Sequence, residues 1–161
     1  MRFERTHHYP APADQVLAML LDPDFRDRVC RAQEARSHDV QVSAAEPPAT
    51  VRVDLELSMD GAPSAARKLT GDTVRTEQEE TWDSPSAATI RIVIPGKPGQ
   101  LTGRITLTDN GDGTSTEQFD AEVKVNIPLV GGKLEPMIGR VLGSGLKRER
   151  EVGLRWLAGE R

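Results

Sequence analysis

The chain has 161 residues, 37% of them hydrophobic and 29% charged, a balance that suits one globular domain with a real core and excludes wholesale disorder. Its formal charge of −4, from 21 basic and 25 acidic side chains, lacks the basic excess of a protein built around nucleic-acid phosphates, so no nucleic-acid partner is expected. The longest apolar run, 16–21, is too short to cross a bilayer, and the single Cys30 allows no internal disulfide and fits a reducing compartment.

Residues 2–9, "RFERTHHY", place Phe3, His7 and Tyr9 on one side of an extended chain, with Arg5 interrupting that side. The alternation predicts a strand. No apolar segment backs these charged residues, so no secretory signal is expected and the protein reads as cytoplasmic, without integral membrane association. In "PAPADQVLAML", Pro12 can open a short helix whose stripe is Val16, Leu17 and Leu20. A second helix starts at "DPDFRDRVCRA", with Asp22 as cap, Pro23 at the first position, and Phe25, Val29 and Ala32 on the buried side.

The period then changes from helical to two. "TVRVDLELSM" puts Val51, Val53, Leu55, Leu57 and Met59 on one face and Arg52, Asp54, Glu56 and Ser58 on the other, the pattern of a half-buried antiparallel strand. A connector follows, with one helical turn over 64–69 closed by Gly71. "TVRTEQEETW", "ATIRIVIP" and "LTGRITLTD" are the next strands, and His38 falls on another one upstream. "NGDG" at 110–113 marks a hairpin, because its residues tolerate the positive φ of tight turns. The strand leaving it turns Phe119, Ala121, Val123, Val125 and Ile127 inward.

From about 134 to 157 the spacing is helical. Leu134, Met137, Ile138, Val141, Gly145, Val152 and Trp156 share one arc, while Gly132, Gly139 and Gly143 line up opposite. Each interior glycine costs roughly 0.5–1 kcal/mol, so such a helix depends on packing against something broad. The tail from Lys133 onward is mildly basic, seven cations against four anions, and reads as a solvated helix face.

Gly131-Gly132-Lys133, between the last strand and this helix, invites a phosphate-cradle reading. A P-loop would need a hydroxyl after the lysine and a glycine five positions before Gly132, where Leu134 and Ile127 stand instead. The pair reads as a hinge, with the strand ending at Ile127-Pro128.

Strand, two short helices, a run of antiparallel strands and a long terminal helix is a specific order. It is carried by "YPAPADQVLAMLLDPDFRDRV" at 9–29, "ARKLTGDTVRTEQEETW" at 66–82 and "IPLVGGKLEPMIGRVLGSGLKREREVGLRWL" at 127–157. These stretches resemble the START-like helix-grip (SRPBCC) superfamily of birch-pollen allergens, polyketide cyclases and aromatase-type domains. They look most like a largely actinobacterial family, domain of unknown function 2505. The resemblance implies an α+β helix-grip fold over 1–161, a single domain in which a curved antiparallel sheet wraps the C-terminal helix. It also implies a hydrophobic ligand cavity between the two, suited to a lipid or polyketide-like molecule.

Within that frame the stretch around Trp82 stands out. If Trp82 points inward, so do Val74, Thr76, Gln78 and Glu80, a face too polar for a dry core unless each group finds a partner. Glu80 and Gln78 are then either polar anchors for a ligand or, for Glu80, a partner for an arginine such as Arg148 on the last helix. Candidate cavity-lining residues are Leu57, Met59, Gln78, Glu80, Trp82, Ile92, Leu101, Ile105, Phe119, Met137, Val141 and Gly145. Adjacent His7 and His8 point to opposite strand faces and Cys30 stands alone, so no metal site and no cofactor is expected.

Three functions remain: a binder of a small hydrophobic or amphipathic molecule, a cyclase or dehydratase with Glu80 as acid–base and His7 or Tyr9 assisting, and an interaction protein with a filled interior. The last is separated from the others by whether a void of at least ~300 Å³ exists. No residue is nominated as a catalyst, whether the chain is an enzyme stays open, and its pattern does not speak to oligomeric state.

Overall fold

The computed structural model describes residues 1–161. One seven-stranded antiparallel sheet runs in the order β1-β7-β6-β5-β4-β3-β2, with four helices packed against it. Its strands are β1 (Arg2–Tyr9), β2 (Ser37–Val42), β3 (Ala49–Ser58), β4 (Thr73–Ser84), β5 (Ala87–Val93), β6 (Gly99–Asp109) and β7 (Ser115–Val125). The helices are α1 (Ala13–Leu20), α2 (Pro23–Ala32), α3 (Ser64–Thr70) and α4 (Gly131–Leu157). This is the α+β helix-grip arrangement that the element order implied.

The first strand crosses to the far edge and pairs with the last, Phe3 opposite Ala121 and His7 opposite Glu117. The N-terminal segment therefore sits beside the strand that feeds α4. The helix starts follow local chemistry. Asp22 accepts a hydrogen bond from the Asp24 amide at 2.8 Å and Pro23 occupies the first turn of α2. The start of α1 has no side-chain cap of its own, and the Ala13 amide donates instead to Asp109 at the end of β6.

The junction into α4 differs from the expectation in its bounds. The last strand ends at Val125: the Asn126 amide still donates in register to the Pro98 carbonyl, but proline has no N–H to return the bond, and the helix begins at Gly131 rather than near Leu134. A Cβ on Gly131 would lie 2.1 Å from the Val125 carbonyl oxygen, so this glycine permits a close backbone approach. Its neighbour Gly132 faces open space.

Nor is the glycine side of α4 solvent-facing throughout. Gly139 is buried against Met1 and Phe3, Gly143 faces Arg5, and Gly153 faces Tyr9 and Met19. The small residues let β1 and α1 approach the helix backbone. At its C-terminal end α4 packs solidly, with Val152 and Trp156 buried and Trp156 edge-on to Phe25 at 5.7 Å.

Candidate functional site

A cavity of about 520 Å³ lies between the concave sheet and the N-terminal half of α4. That volume falls in the range of small-molecule sites and excludes a completely filled interior. Of its 37 lining residues 23 are hydrophobic, so its walls favour an apolar occupant. Exposed Asp60 and Gly61 before α3, and Arg140 and Val141 on α4, also line it, so it opens to solvent between those two elements.

Nine of the twelve residues expected to line the cavity do so: Leu57, Met59, Gln78, Ile92, Leu101, Phe119, Met137, Val141 and Gly145. Three do not. Glu80, Trp82 and Ile105 are buried beyond the cavity's inner end, where α1 and α2 close against the sheet. The inner face of β4 is as expected, but it is divided between the cavity and the packed end of the molecule. Val74, Thr76 and Gln78 meet the cavity, whereas Glu80 and Trp82 lie under α2.

The partner of Glu80 is Arg26 on α2, not Arg148. Arg26 Nη1 and Nη2 donate to the two Glu80 carboxylate oxygens at 3.1 and 2.8 Å, and its Nε donates to the Leu20 carbonyl at 2.7 Å. Gln78 Nε2 and Trp82 Nε1, two residues either side of Glu80 on the same strand face, add bonds of 2.8 and 2.9 Å. Each Glu80 oxygen thus accepts two donors, which leaves it little capacity for a ligand. Arg148 points outward and pairs with Glu151.

Two further buried carboxyls face this pair. Glu117 on β7 accepts a hydrogen bond from the Tyr9 hydroxyl at 3.4 Å and lies 3.2 Å from His7 Nδ1. Glu149 on α4 lies 3.5 Å from Arg26 Nη1, and no hydrogen bond reaches it. Arg26 is therefore the single buried cation among three buried carboxyls.

That imbalance sets their protonation. Burial, reinforced by the Glu80 charge, pushes the Glu117 carboxyl up to about 8, with Arg26 opposing. Burial also raises Glu149 to about 7, against the pull of Arg26 and with Glu117 and Glu80 adding to the rise. The His7 imidazole is lowered by burial and the Tyr9 hydroxyl is raised by it, so both are neutral near pH 7. Arg26 and Glu80 form the doubly hydrogen-bonded ion pair, and burial leaves Glu117, more than Glu149, favouring its protonated form near pH 7.

Arg26, Glu117 and Glu149 were not among the expected site residues, although the patterns contained two of them. Extending the β7 alternation two residues back from Phe119 reaches Glu117. The α4 stripe steps from Gly145 to Val152 through Glu149. Of the cluster, Arg26 and Glu149 border the cavity, together with Gln33, Gln78 and Cys30. None of the four helices is long and apolar enough to cross a membrane.

The fold is similar to solved structures along the whole chain. A Thermus thermophilus protein, TTHA0849, superposes with a TM-score of 0.67 at 17% identity, covering 100% of both chains. The Zhui aromatase/cyclase of Streptomyces sp. R1128 does so with a TM-score of 0.60 at 16% identity, over 99% of this chain and 92% of that one. A START superfamily protein of Mycobacterium smegmatis gives 0.59 at 13% identity, over 94% and 92%. At these identities the likeness carries the fold, which is START-like. No curated protein matches the chain. The model of one family, described as a protein of unknown function, DUF2505, matches residues 4–157, and this chain belongs to that family.

Proposed function

We propose that the protein, as one domain of residues 1–161, binds a small hydrophobic or amphipathic molecule, lipid or polyketide-like, between its sheet and α4. The observation carrying this reading is the apolar cavity of about 520 Å³, open at one end and closed at the other by a buried polar cluster. A site with apolar walls and a few convergent polar groups is the usual form of a small-molecule pocket. The free thiol of Cys30 supports a reducing compartment, and the cytoplasm is the location that goes with this reading.

The test is titration with the neutral dye Nile red, whose fluorescence rises in an apolar site. Saturable one-to-one binding is expected, and Ile92→Trp, which builds an indole into the cavity from β5, is expected to weaken it about tenfold or more with the fold retained. Equal binding by wild type and variant, or none by wild type, would overturn the reading.

A second reading has one observation in its favour. Glu149 is a carboxyl on the cavity wall raised to about 7, the range in which an acid–base group works near neutral pH. A cyclase-type reaction, of the kind for which the similar Streptomyces aromatase/cyclase is named, would therefore run through Glu149 rather than the saturated Glu80. Turnover of a polyketide-like substrate that is lost in Glu149→Gln, with binding retained, would establish it.

A further inference from the structure

The cavity has a charged end, where Arg26 and Glu149 border it. Arg26 is held by Glu80 at two positions and by the Leu20 carbonyl at a third, so an anionic ligand would have to displace Glu80 to reach it. Glu149 has the opposite status. It is 6% exposed, borders the cavity, accepts no hydrogen bond, and has its nearest cation 3.5 Å away. The cavity thus presents a carboxyl whose one neighbouring cation, Arg26 at 3.5 Å, is already engaged by Glu80, so an N–H or O–H brought by an occupant finds an acceptor there.

The surroundings of Glu149 sharpen the choice of donor. Facing it are Arg26 from α2, Glu80 from β4, Glu117 from β7, and His7 and Tyr9 from β1. With Glu117 protonated, the Glu80 and Glu149 carboxylates against one guanidinium leave the cluster one positive charge short when Glu149 is ionised. A carboxylate or phosphate placed here would add a fourth acid, whereas a protonated amine would give Glu149 both its missing hydrogen bonds and its countercharge.

Resting on the cavity-binding reading, we propose that the ligand class is an amphipathic amine, bound tail-outward with its ammonium nitrogen donating to Glu149. The apolar part lies along the walls formed by Leu57, Ile92, Leu101, Met137 and Val141. Gln78, whose amide already donates to Glu80, and Gln33 border the same cavity and offer amide oxygens as further acceptors for the ammonium protons.

The experiment is displacement of Nile red from the full chain by three probes of equal chain length: dodecylamine, dodecanol and dodecanoic acid, each below its aggregation threshold. At about pH 8 the amine is expected to displace at concentrations about tenfold lower than the alcohol, with the acid weakest. Glu149→Gln, checked for folding by circular dichroism, is expected to remove the amine's advantage, bringing the amine to within about twofold of the alcohol. The second measurement needs no variant: moving the wild type from about pH 8 to about pH 6 protonates Glu149 while the amine stays charged, and the amine-to-alcohol preference should shrink about tenfold. An acid that competes as well as the amine, or a preference unmoved by both the substitution and the pH change, would overturn the proposal. Loss of Nile red binding itself would instead remove the cavity reading beneath it.

Discussion

Arg26 on α2 and Glu80 on β4 are 54 residues apart in sequence and joined by two parallel hydrogen bonds inside the molecule. The pair ties the helical layer to the middle of the sheet at the point where the cavity ends. Such a fork is costly to desolvate and worse to break from one side, because the remaining charge keeps its burial and loses its partner.

Arg26→Met should therefore destabilise the protein by about 3–5 kcal/mol, and Arg26→Met with Glu80→Gln by less, since the Glu80 charge is no longer buried without its partner and Trp82 keeps an acceptor. Denaturant unfolding of wild type, single and double variants measures both. A double variant no more stable than the single would contradict the account.

Stability should fall as pH rises from about 6.5 to about 8. Glu149 and Glu117 are raised from 4.5 to about 7 and about 8, so the folded state holds their protons more tightly than the unfolded chain. The resulting stabilisation is fully present below about pH 4.5 and is lost as pH climbs through those folded values, a decline of about 2 kcal/mol across this window. The depressed His7 acts in the opposite sense, with its destabilising effect at low pH easing as pH rises to 6.5, and is largely spent above that point. Glu117→Gln should flatten the upper part of the decline in urea midpoints measured across the range.

Two adjacent glycines should respond oppositely to alanine. Gly131→Ala forces a methyl against the Val125 carbonyl and should cost about 1–3 kcal/mol. Gly132→Ala meets nothing, at a helical position without positive φ, and should gain about 0.4–1 kcal/mol by restricting the unfolded chain. Thermal melts of the two variants decide it, and equal losses would mean that both positions serve as the hinge.

Cys30 offers an independent view of the cavity, since its thiol is buried yet borders that space. Burial pushes it up to about 11, with Asp27 adding to the rise. Alkylation by N-ethylmaleimide should be slow at about pH 8 and accelerate about tenfold per pH unit toward about 10, as the thiolate fraction grows. A bound occupant should slow it further, and protection by dodecylamine would localise binding without relying on fluorescence.

The period-two runs identified which faces of β3, β4 and β7 turn inward, and the capping residues placed the start of α2 at Pro23. The cluster was harder to read because its members meet only in three dimensions. Arg148 and Glu149 both flank the inward arc of a long helix, and spacing alone does not choose between them. The choice is made by Arg26, which lies far away in sequence and is brought to Glu149 by the packing of α2 on α4. Alternation also cannot distinguish a filled interior from a hollow one. The void comes from how far the sheet stands off the helix, a property of curvature rather than of residue type.

The long helix works under two regimes along its length. From Leu134 to Leu146 its inward side chains border empty volume, and a larger or smaller residue at Met137, Val141 or Gly145 changes the shape of that volume before it disturbs any packed neighbour. From Glu149 to Trp156 the same helix is locked against α2, β1 and the ion pair. Substitutions in the first stretch therefore reshape the cavity and leave the fold standing, while those in the second strike the packing that keeps the chain folded.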